Sequence, residues 1–267
     1  MKILIINGSA HKGNTWRLAE SVMEFGNSMD YNTEFEEIHL ISEPLPFCTG
    51  CSSCFRLGRE KCPHYAVVEK ITAKIESSDG VVFLSSTYNM RETALLKNLF
   101  DHWCYMLHRP HFFQSKALVI TTTGGVGGKK AAKSISSFLK GIGFNRCYLF
   151  SRAAFSWNAF EPNEKTLTAL KRTVGSFMED VSSGKLHSPS TTILLLYNLF
   201  RGMSLAYVKG TEYETMDGVF WTEKERAKAV YDPKIKVPFY KKPVGHLFYA
   251  IGKMGGRIKS MQVTYKK

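Results

Sequence analysis

Up to about residue 184 the sequence alternates short continuous apolar runs with longer segments whose apolar residues recur at helical spacing. Residues 3–6, 81–85, 117–121 and 147–150 are such runs, the mark of strands buried on both faces. Residues 35–40 alternate with one slip and supply a further strand. Residues 15–25, 68–77, 92–107, 129–140 and 163–181 place their apolar side chains on one helical side, as Leu167, Leu170, Val174, Phe177 and Val181 do. Strands and helices in strict alternation predict an α/β fold with a doubly wound five-stranded parallel sheet. Right-handed crossovers then bring the loops after strands one, three and four to the carboxyl edge, where ligands bind at a topological switch point.

The pattern breaks beyond residue 184. Residues 191–208 are mostly apolar and read as helical, 210–243 are rich in turns, and 246–258 read as a short amphipathic helix. The division is therefore a ligand-binding domain over 1–184 and a basic, partly helical C-terminal extension over 185–267. Charge follows the same boundary: of the net +13, residues 185–267 carry +9, and nine Lys/Arg but no acid follow Asp232. Such a tail suits an acidic redox partner or an anionic membrane surface. It has no zinc-finger spacing or other nucleic-acid motif, so no nucleic-acid partner is expected. No run approaches the ~18 apolar residues of a membrane span. The N-terminus reads as a strand, not a signal peptide, so the expected compartment is the cytoplasm, where thiols stay reduced.

Three loops carry the binding chemistry. Gly8-Ser9-Ala10-His11-Lys12-Gly13-Asn14-Thr15 joins a buried strand to a helix N-terminus, whose free N–H groups and positive dipole end suit an anion. The triphosphate loop G-x-x-x-x-G-K-[ST] is matched except that Asn14 stands where Lys is required, which favours a monophosphate. A helix cap without a ligand is the alternative. Ser86, Thr87, Tyr88, Asn89 and Met90 follow strand three; Thr122, Thr123, Gly124 and Gly125 follow strand four. A planar hydrogen-bonding ring fits between those two loops with its phosphate on the first, the shape of flavin mononucleotide (FMN).

Cys48-x2-Cys51-x2-Cys54-x7-Cys62-Pro63 is the sharpest local signal. Two-residue gaps let successive thiolates converge, as in compact ferredoxin runs that end in C-P. A [4Fe–4S] cluster, a four-cysteine zinc site and redox-active or merely buried thiols all remain open. Cys104 and Cys147 are expected as small core hydrophobes. Arg109, between His108 and His111, is either a receptor for nucleotide phosphates or part of a solvated loop.

The segments NGSAHKGNT (7–15), CTGCSSCFRLGREKCPHY (48–65), SSTYNMRETALLKNLFDH (85–102), HRPHFF (108–113) and TTTGGVGGKK (121–130) together resemble the flavodoxin-like family of NAD(P)H-dependent FMN reductases and iron–sulfur flavoproteins, in its longer form from anaerobic bacteria. The resemblance covers roughly residues 1–184. It implies a flavodoxin-like fold, FMN as cofactor and NAD(P)H as co-substrate. The phosphate falls to Ser9, Lys12, Asn14 and Thr15, with His11 and Gly13 in the same loop, and the ring to Thr87–Met90 and Thr122–Gly125. It also implies a cluster on the four cysteines in the iron–sulfur members, and a homo-oligomer. The implied reaction passes electrons to a quinone, a flavin or another small-molecule acceptor; the alternative is a non-enzymatic carrier serving a ferredoxin-like partner. The chain departs from the family at Ser86, where many relatives have Pro, and at Asp101-His102, where they have Asp-Arg.

Overall fold

In the computed structural model, which describes residues 1–259 and 262–264, five parallel strands form one sheet in the order β2-β1-β3-β4-β5. In chain order the elements are β1 (Lys2–Asn7), α1 (Asn14–Asn27), β2 (Glu34–His39), the single turn α2 (Ser53–Arg56), α3 (Tyr65–Glu76), β3 (Gly80–Ser86), α4 (Ala94–His102), β4 (Lys116–Thr123), α5 (Gly128–Gly141), β5 (Arg146–Ala153) and α6 (Glu164–Ser182). The extension adds α7 (Thr191–Met203), α8 (Met216–Thr222), α9 (Lys224–Lys228) and α10 (Lys242–Gly256). The flavodoxin-like doubly wound sheet read from the sequence is present.

Successive strand residues point to opposite faces, and the core divides accordingly. Leu4, Ile6, Val81, Phe83, Ala117 and Val119 pack with α3, α4 and α5 through Ile71, Leu99 and Ile135. Ile3, Ile5, Val82, Leu84, Leu118 and Ile120 pack with α1 and α6 through Leu18, Val22, Val174 and Phe177. Burial on both faces is why these strands read as unbroken apolar runs.

Strand register sets the binding edge. Asn7 pairs with Leu84, Ser86 with Thr122, and Thr123 with Ala153. All the strands run the same way, with β3, β4 and β5 reaching two to three residues beyond the end of β1, so the loops after β1, β3, β4 and also β5 gather at one edge.

Two expectations are corrected. The helix expected over 92–107 runs only from Ala94 to His102, followed by a 3-10 turn at Cys104–Leu107. Thr93 accepts from Leu96 N–H at 3.3 Å and caps the start, and Trp103 N–H bonds both Leu99 O and Phe100 O, tightening the end. Cys104 is exposed instead of lying in the core, because it sits past that tightened end; Cys147 is half-buried against the core.

The extension has its own buried cluster. Leu194, Tyr197, Trp221, Tyr231 and Ile235 pack around Phe113, which precedes β4. Trp221 Nε1 donates to His108 O at 2.9 Å. α10 crosses α7 backbone to backbone: a Cβ on Gly252 would lie 2.3 Å from Leu199 O. The last basic residues counted in the tail, Lys266 and Lys267, lie outside the described residues. Among the described residues no helix is long and apolar enough to cross a membrane.

Candidate functional site

The first loop lies at the carboxyl edge of the sheet. α1 begins at Asn14 with Gly13 as a cap that offers no side chain, and no acid stands in its first turn. Its initial N–H groups are therefore available to an anion. Around that end, hydroxyls from three loops meet. Ser9 Oγ lies 3.1 Å from Ser86 Oγ and accepts from Ser86 N–H at 3.1 Å. Thr15 Oγ1 lies 3.2 Å from Ser86 Oγ and 2.5 Å from Thr122 Oγ1. Ser9, Thr15 and Thr122 are buried. His11 and Lys12 are exposed. Lys12 Nζ bonds Glu37 at 2.5 Å and stands 3.9 Å over the Trp16 ring, so its charge is turned toward β2.

The second and third loops form the adjoining walls. Tyr88 and Arg91 exchange backbone hydrogen bonds around Asn89 and Met90, whose φ values are 50° and 62°. Positive φ at both central residues makes this a tight primed turn, a strained one for Met. Thr87 N–H donates to Thr122 O at 2.8 Å, fastening this loop to β4. Thr87 Oγ1 is buried with no hydrogen-bond partner. Gly127, at φ 92°, precedes α5 as its cap; a Cβ there would stand 2.8 Å from Met90 Cγ. Gly124 and Gly125 are exposed, and a Cβ on either would meet nothing within 4 Å, which leaves open space over the loop.

A fourth loop belongs to this edge and is missed by the sequence reading. β5 runs to Ala153, and Ala154 N–H and Phe155 N–H donate to Thr123 O and Gly124 O. Asn14 Nδ2 donates to Ser156 O at 2.8 Å, and Asn14 Oδ1 accepts from Phe160 N–H at 3.2 Å. Asn14 therefore anchors this loop. Phe155 and Trp157 are 83% and 95% exposed and Tyr88 is 56% exposed, so the loops after β5 and β3 both carry exposed aromatic rings. The usable signal was that in an all-parallel sheet every strand ends at this edge.

The residues suit FMN: an uncapped helix start for a phosphate, an orphaned hydroxyl on Thr87, and open glycines between two walls. The site's hydroxyls and N–H groups are uncharged, which fits one phosphate better than three.

The cysteine loop hangs from α4. Asn98 Oδ1 accepts from Cys48 N–H at 3.1 Å, and Asn98 Nδ2 donates to Leu45 O and Pro46 O. His102 Nε2 lies 2.9 Å from Pro46 O. Arg109 is buried and donates to Cys54 O at 2.5 Å, to Phe55 O at 3.2 Å and to Asp217 of α8. Asp217 also meets His108 Nδ1 at 2.8 Å. Arg109 is thus committed to the cysteine loop and the extension, and the reading of it as a receptor for nucleotide phosphates is withdrawn.

All four cysteines are free thiols; Cys48 and Cys51 are exposed, Cys54 and Cys62 half-buried. Burial, then the neighbouring Cys62, push the Cys54 thiol up to about 11 against the pull of Arg109. The Ser53 hydroxyl and backbone lower that of Cys51. Four free thiols on one loop match in number and kind the ligands of a four-iron cluster.

Residues 1–158 match the family model described as NADPH-dependent FMN reductase. An iron-sulfur flavoprotein of Archaeoglobus fulgidus is 30% identical over 129 residues, 48% of this chain and 56% of that one. An iron-sulfur flavoprotein of Clostridioides difficile is 28% identical over 188 residues, 69% of this chain and 81% of that one. In fold the chain is similar to the NAD(P)H:(acceptor) oxidoreductase of Paracoccus denitrificans, with a TM-score of 0.50 at 22% identity, covering 69% of this chain and 99% of that one. The chain belongs to the NADPH-dependent FMN reductase family and is by that membership an NAD(P)H-dependent flavin oxidoreductase.

Proposed function

We propose that this chain holds FMN across the loops after β1, β3 and β4, takes hydride from NAD(P)H, and delivers electrons to a quinone, a free flavin or another small acceptor. The observation that carries this reading is the meeting of Ser9, Thr15, Ser86 and Thr122 hydroxyls at an uncapped helix start. Bound FMN supplies the redox chemistry, accepting two electrons with a proton and passing them on singly or together. The chain's own part is placement. The first N–H groups of α1, with Ser9 and Thr15, hold the phosphate. Residues 87–90 and 122–125 border the ring, and Thr87 Oγ1 gives it a hydrogen-bonding partner. Tyr88, Phe155 and Trp157 line the opening, where a nicotinamide or quinone ring stacks.

The cysteines are proposed to hold a [4Fe–4S] cluster through Cys48, Cys51, Cys54 and Cys62. The likeness to the iron-sulfur flavoproteins of Archaeoglobus fulgidus and Clostridioides difficile supports this, as do four free thiols on one loop. Such a group handles single electrons, which suits a ferredoxin-like partner; Asn98 and Arg109 position its loop. Residues 185–267 form the basic extension, and α10 is proposed to meet an anionic lipid surface. Leu247, Ile251 and Met254 of α10 are exposed on one side, with Ile258 exposed just past its end and Lys253, Arg257 and Lys259 exposed nearby in sequence.

Anaerobic purification followed by flavin, iron and acid-labile sulfide analysis tests both cofactors. Steady-state NADH and NADPH oxidation with quinone and flavin acceptors tests turnover. A chain that never binds FMN overturns the reading. FMN binding without turnover on any acceptor replaces the enzyme by an electron carrier.

A further inference from the structure

Three side chains unused by the flavin site converge at the C-terminal end of α4. The Cys62 sulfur, a His64 ring nitrogen and a His102 ring nitrogen all lie within 4.8 Å of one another. The Cys62 Sγ to His102 Nδ1 distance is 4.0 Å. His64 and His102 meet edge to face, with ring centroids 5.3 Å apart. His102 is 4% exposed, while Cys62 and His64 are half-buried and reachable from solvent.

The orientation of His102 gives this cluster its meaning. Its Nε2 lies 2.9 Å from the carbonyl of Pro46, which can only accept, so Nε2 carries the hydrogen. In the neutral ring the other nitrogen, Nδ1, then keeps its lone pair, and it lies 4.0 Å from the Cys62 sulfur. A metal-binding histidine is ordinarily fixed in this way, its far N–H given to a backbone carbonyl. Asn98, one turn earlier on α4, holds the same carbonyl at 3.1 Å and so keeps the supporting group in place.

We propose that Cys62, His64 and His102 form a mononuclear site for a zinc-class divalent ion, with the fourth position open to water. One thiolate and two imidazoles match the ligand preference of zinc. In a tetrahedral zinc site the ligand atoms stand about 3.5 Å apart, from Zn–N near 2.0 Å and Zn–S near 2.3 Å. The present spacing requires only small rotations of the Cys62 and His64 side chains. Binding releases the Cys62 thiol proton to solvent as the thiolate forms. The ion ties the cysteine loop to the end of α4. Cys62 also belongs to the four-cysteine set proposed for the cluster, so the two occupancies exclude each other. Zinc is the occupant of the cluster-free chain.

The test uses the full chain, purified aerobically and treated with chelator, with Co2+ as the spectroscopic probe and Zn2+ as competitor. One equivalent of Co2+ is expected to give tetrahedral d–d bands at wavelengths beyond the flavin bands, and Zn2+ to displace them. His102→Ala, His64→Ala and Cys62→Ser are each expected to weaken Co2+ binding by at least about tenfold, the size of effect that follows loss of a metal's support or ligand. Cys51→Ser is expected to leave it unchanged. His102→Gln gives the same reading should the alanine variant fail to fold. Absence of the bands overturns the proposal. So does binding that survives both histidine substitutions but depends on Cys51, which would mark a four-cysteine site. The titration reads the metal alone, so its failure is separate from any failure to bind flavin.

Discussion

The Thr15 hydroxyl lies 2.5 Å from the Thr122 hydroxyl, and this contact closes a chain of hydroxyls through Ser86 to Ser9 across three loops. It joins the first turn of α1 to the end of β4, residues 107 apart in sequence. Thr15→Val keeps the shape and removes the polar atom, leaving Thr122 and Ser86 short of a partner in a buried place. An unpaired buried hydroxyl costs about 1–3 kcal/mol. FMN affinity, followed by quenching of flavin fluorescence, is expected to fall roughly tenfold, with the sheet intact by circular dichroism. Unchanged affinity would remove this hydroxyl chain from the binding site.

Asn14 stands where a triphosphate loop has lysine, and it serves the loop after β5 by bonding Ser156 O and Phe160 N–H. Asn14→Ala is expected to release that loop and leave α1 in place. Limited proteolysis should then cut within residues 154–160 several times faster than in the parent chain, because an open loop is cleaved in proportion to its open population. Asn14→Lys is not expected to create triphosphate binding, since the lysine would remove the loop's anchor. Equal cleavage rates in parent and Asn14→Ala would refute the anchoring role.

What the sequence reveals and what it hides divide along the range of the interactions. β1, β3 and β4 announce themselves because residues such as Ile5, Phe83 and Val119 are buried from both sides, so the runs are unbroken. The end of β5 does not, since Ser151 and Arg152 are polar and Ala153 is small, and all three are held in the sheet by pairing with Thr121, Thr122 and Thr123. Ser9, Thr15, Ser86 and Thr122 are each visible as loop residues, but their contact depends on register. Arg109 looks like a free cation in its HRPHFF context, yet its acidic partner, Asp217, is 108 residues away. His102 shows in the sequence only as a departure from the family, and its pairing with Cys62 appears only when α4 is built.

The Arg109–Asp217 pair connects the extension to the cysteine loop. Both side chains are under a tenth exposed, and Arg109 also holds the carbonyls of Cys54 and Phe55. Removing one partner of a buried pair costs about 3–5 kcal/mol, because the other charge is left uncompensated. Arg109→Met is therefore expected to lower the melting temperature by roughly 10 °C, at ~2–4 °C per kcal/mol for a chain of this size. Iron content after anaerobic purification should drop as well, while FMN content changes little. Loss of flavin and iron together would indicate general unfolding, which Asp217→Asn, a milder change, would separate from a local effect.

Asp180 ties α6 to β4 and to the segment entering the extension. It accepts from Tyr148 at 3.0 Å and lies 2.7 Å from His187 Nε2 and 3.3 Å from Lys116 Nζ. Burial raises its pKa, but the His187, Tyr148 and Lys116 contacts outweigh burial and hold it below the ordinary carboxylate value. A depressed folded pKa stabilises the chain at pH above the unfolded value of about 3.9, and the contribution disappears as pH falls from there through the folded value. Urea unfolding from about pH 5 down to about pH 2 is expected to show a steeper loss of stability in the parent than in Asp180→Asn. Parallel slopes would show that Asp180 is not the acid-sensitive group.

Leu247, Ile251 and Met254 of α10, with Ile258 just past its end, recur at spacings of four, three and four, all between 38% and 60% exposed. Glycines turn the opposite side of the helix against α7, so this row is left outward. Lys253, Arg257 and Lys259 lie beside it, and no acidic residue follows Asp232 to offset them. An interfacial helix gains from buried apolar area and from attraction to anionic lipid. Each basic residue near such a surface contributes about 1 kcal/mol. Replacing Lys253 and Arg257 by Gln is therefore expected to weaken binding to vesicles rich in phosphatidylserine by roughly thirtyfold at low salt. Ile251→Ser with Met254→Ser should weaken it at every salt concentration, because the apolar contribution is not screened. Neutral phosphatidylcholine vesicles should bind the parent only weakly. If the parent binds both vesicle types equally, or neither, the row does not meet an anionic lipid surface, and a protein partner with an apolar, acidic face becomes the occupant to seek.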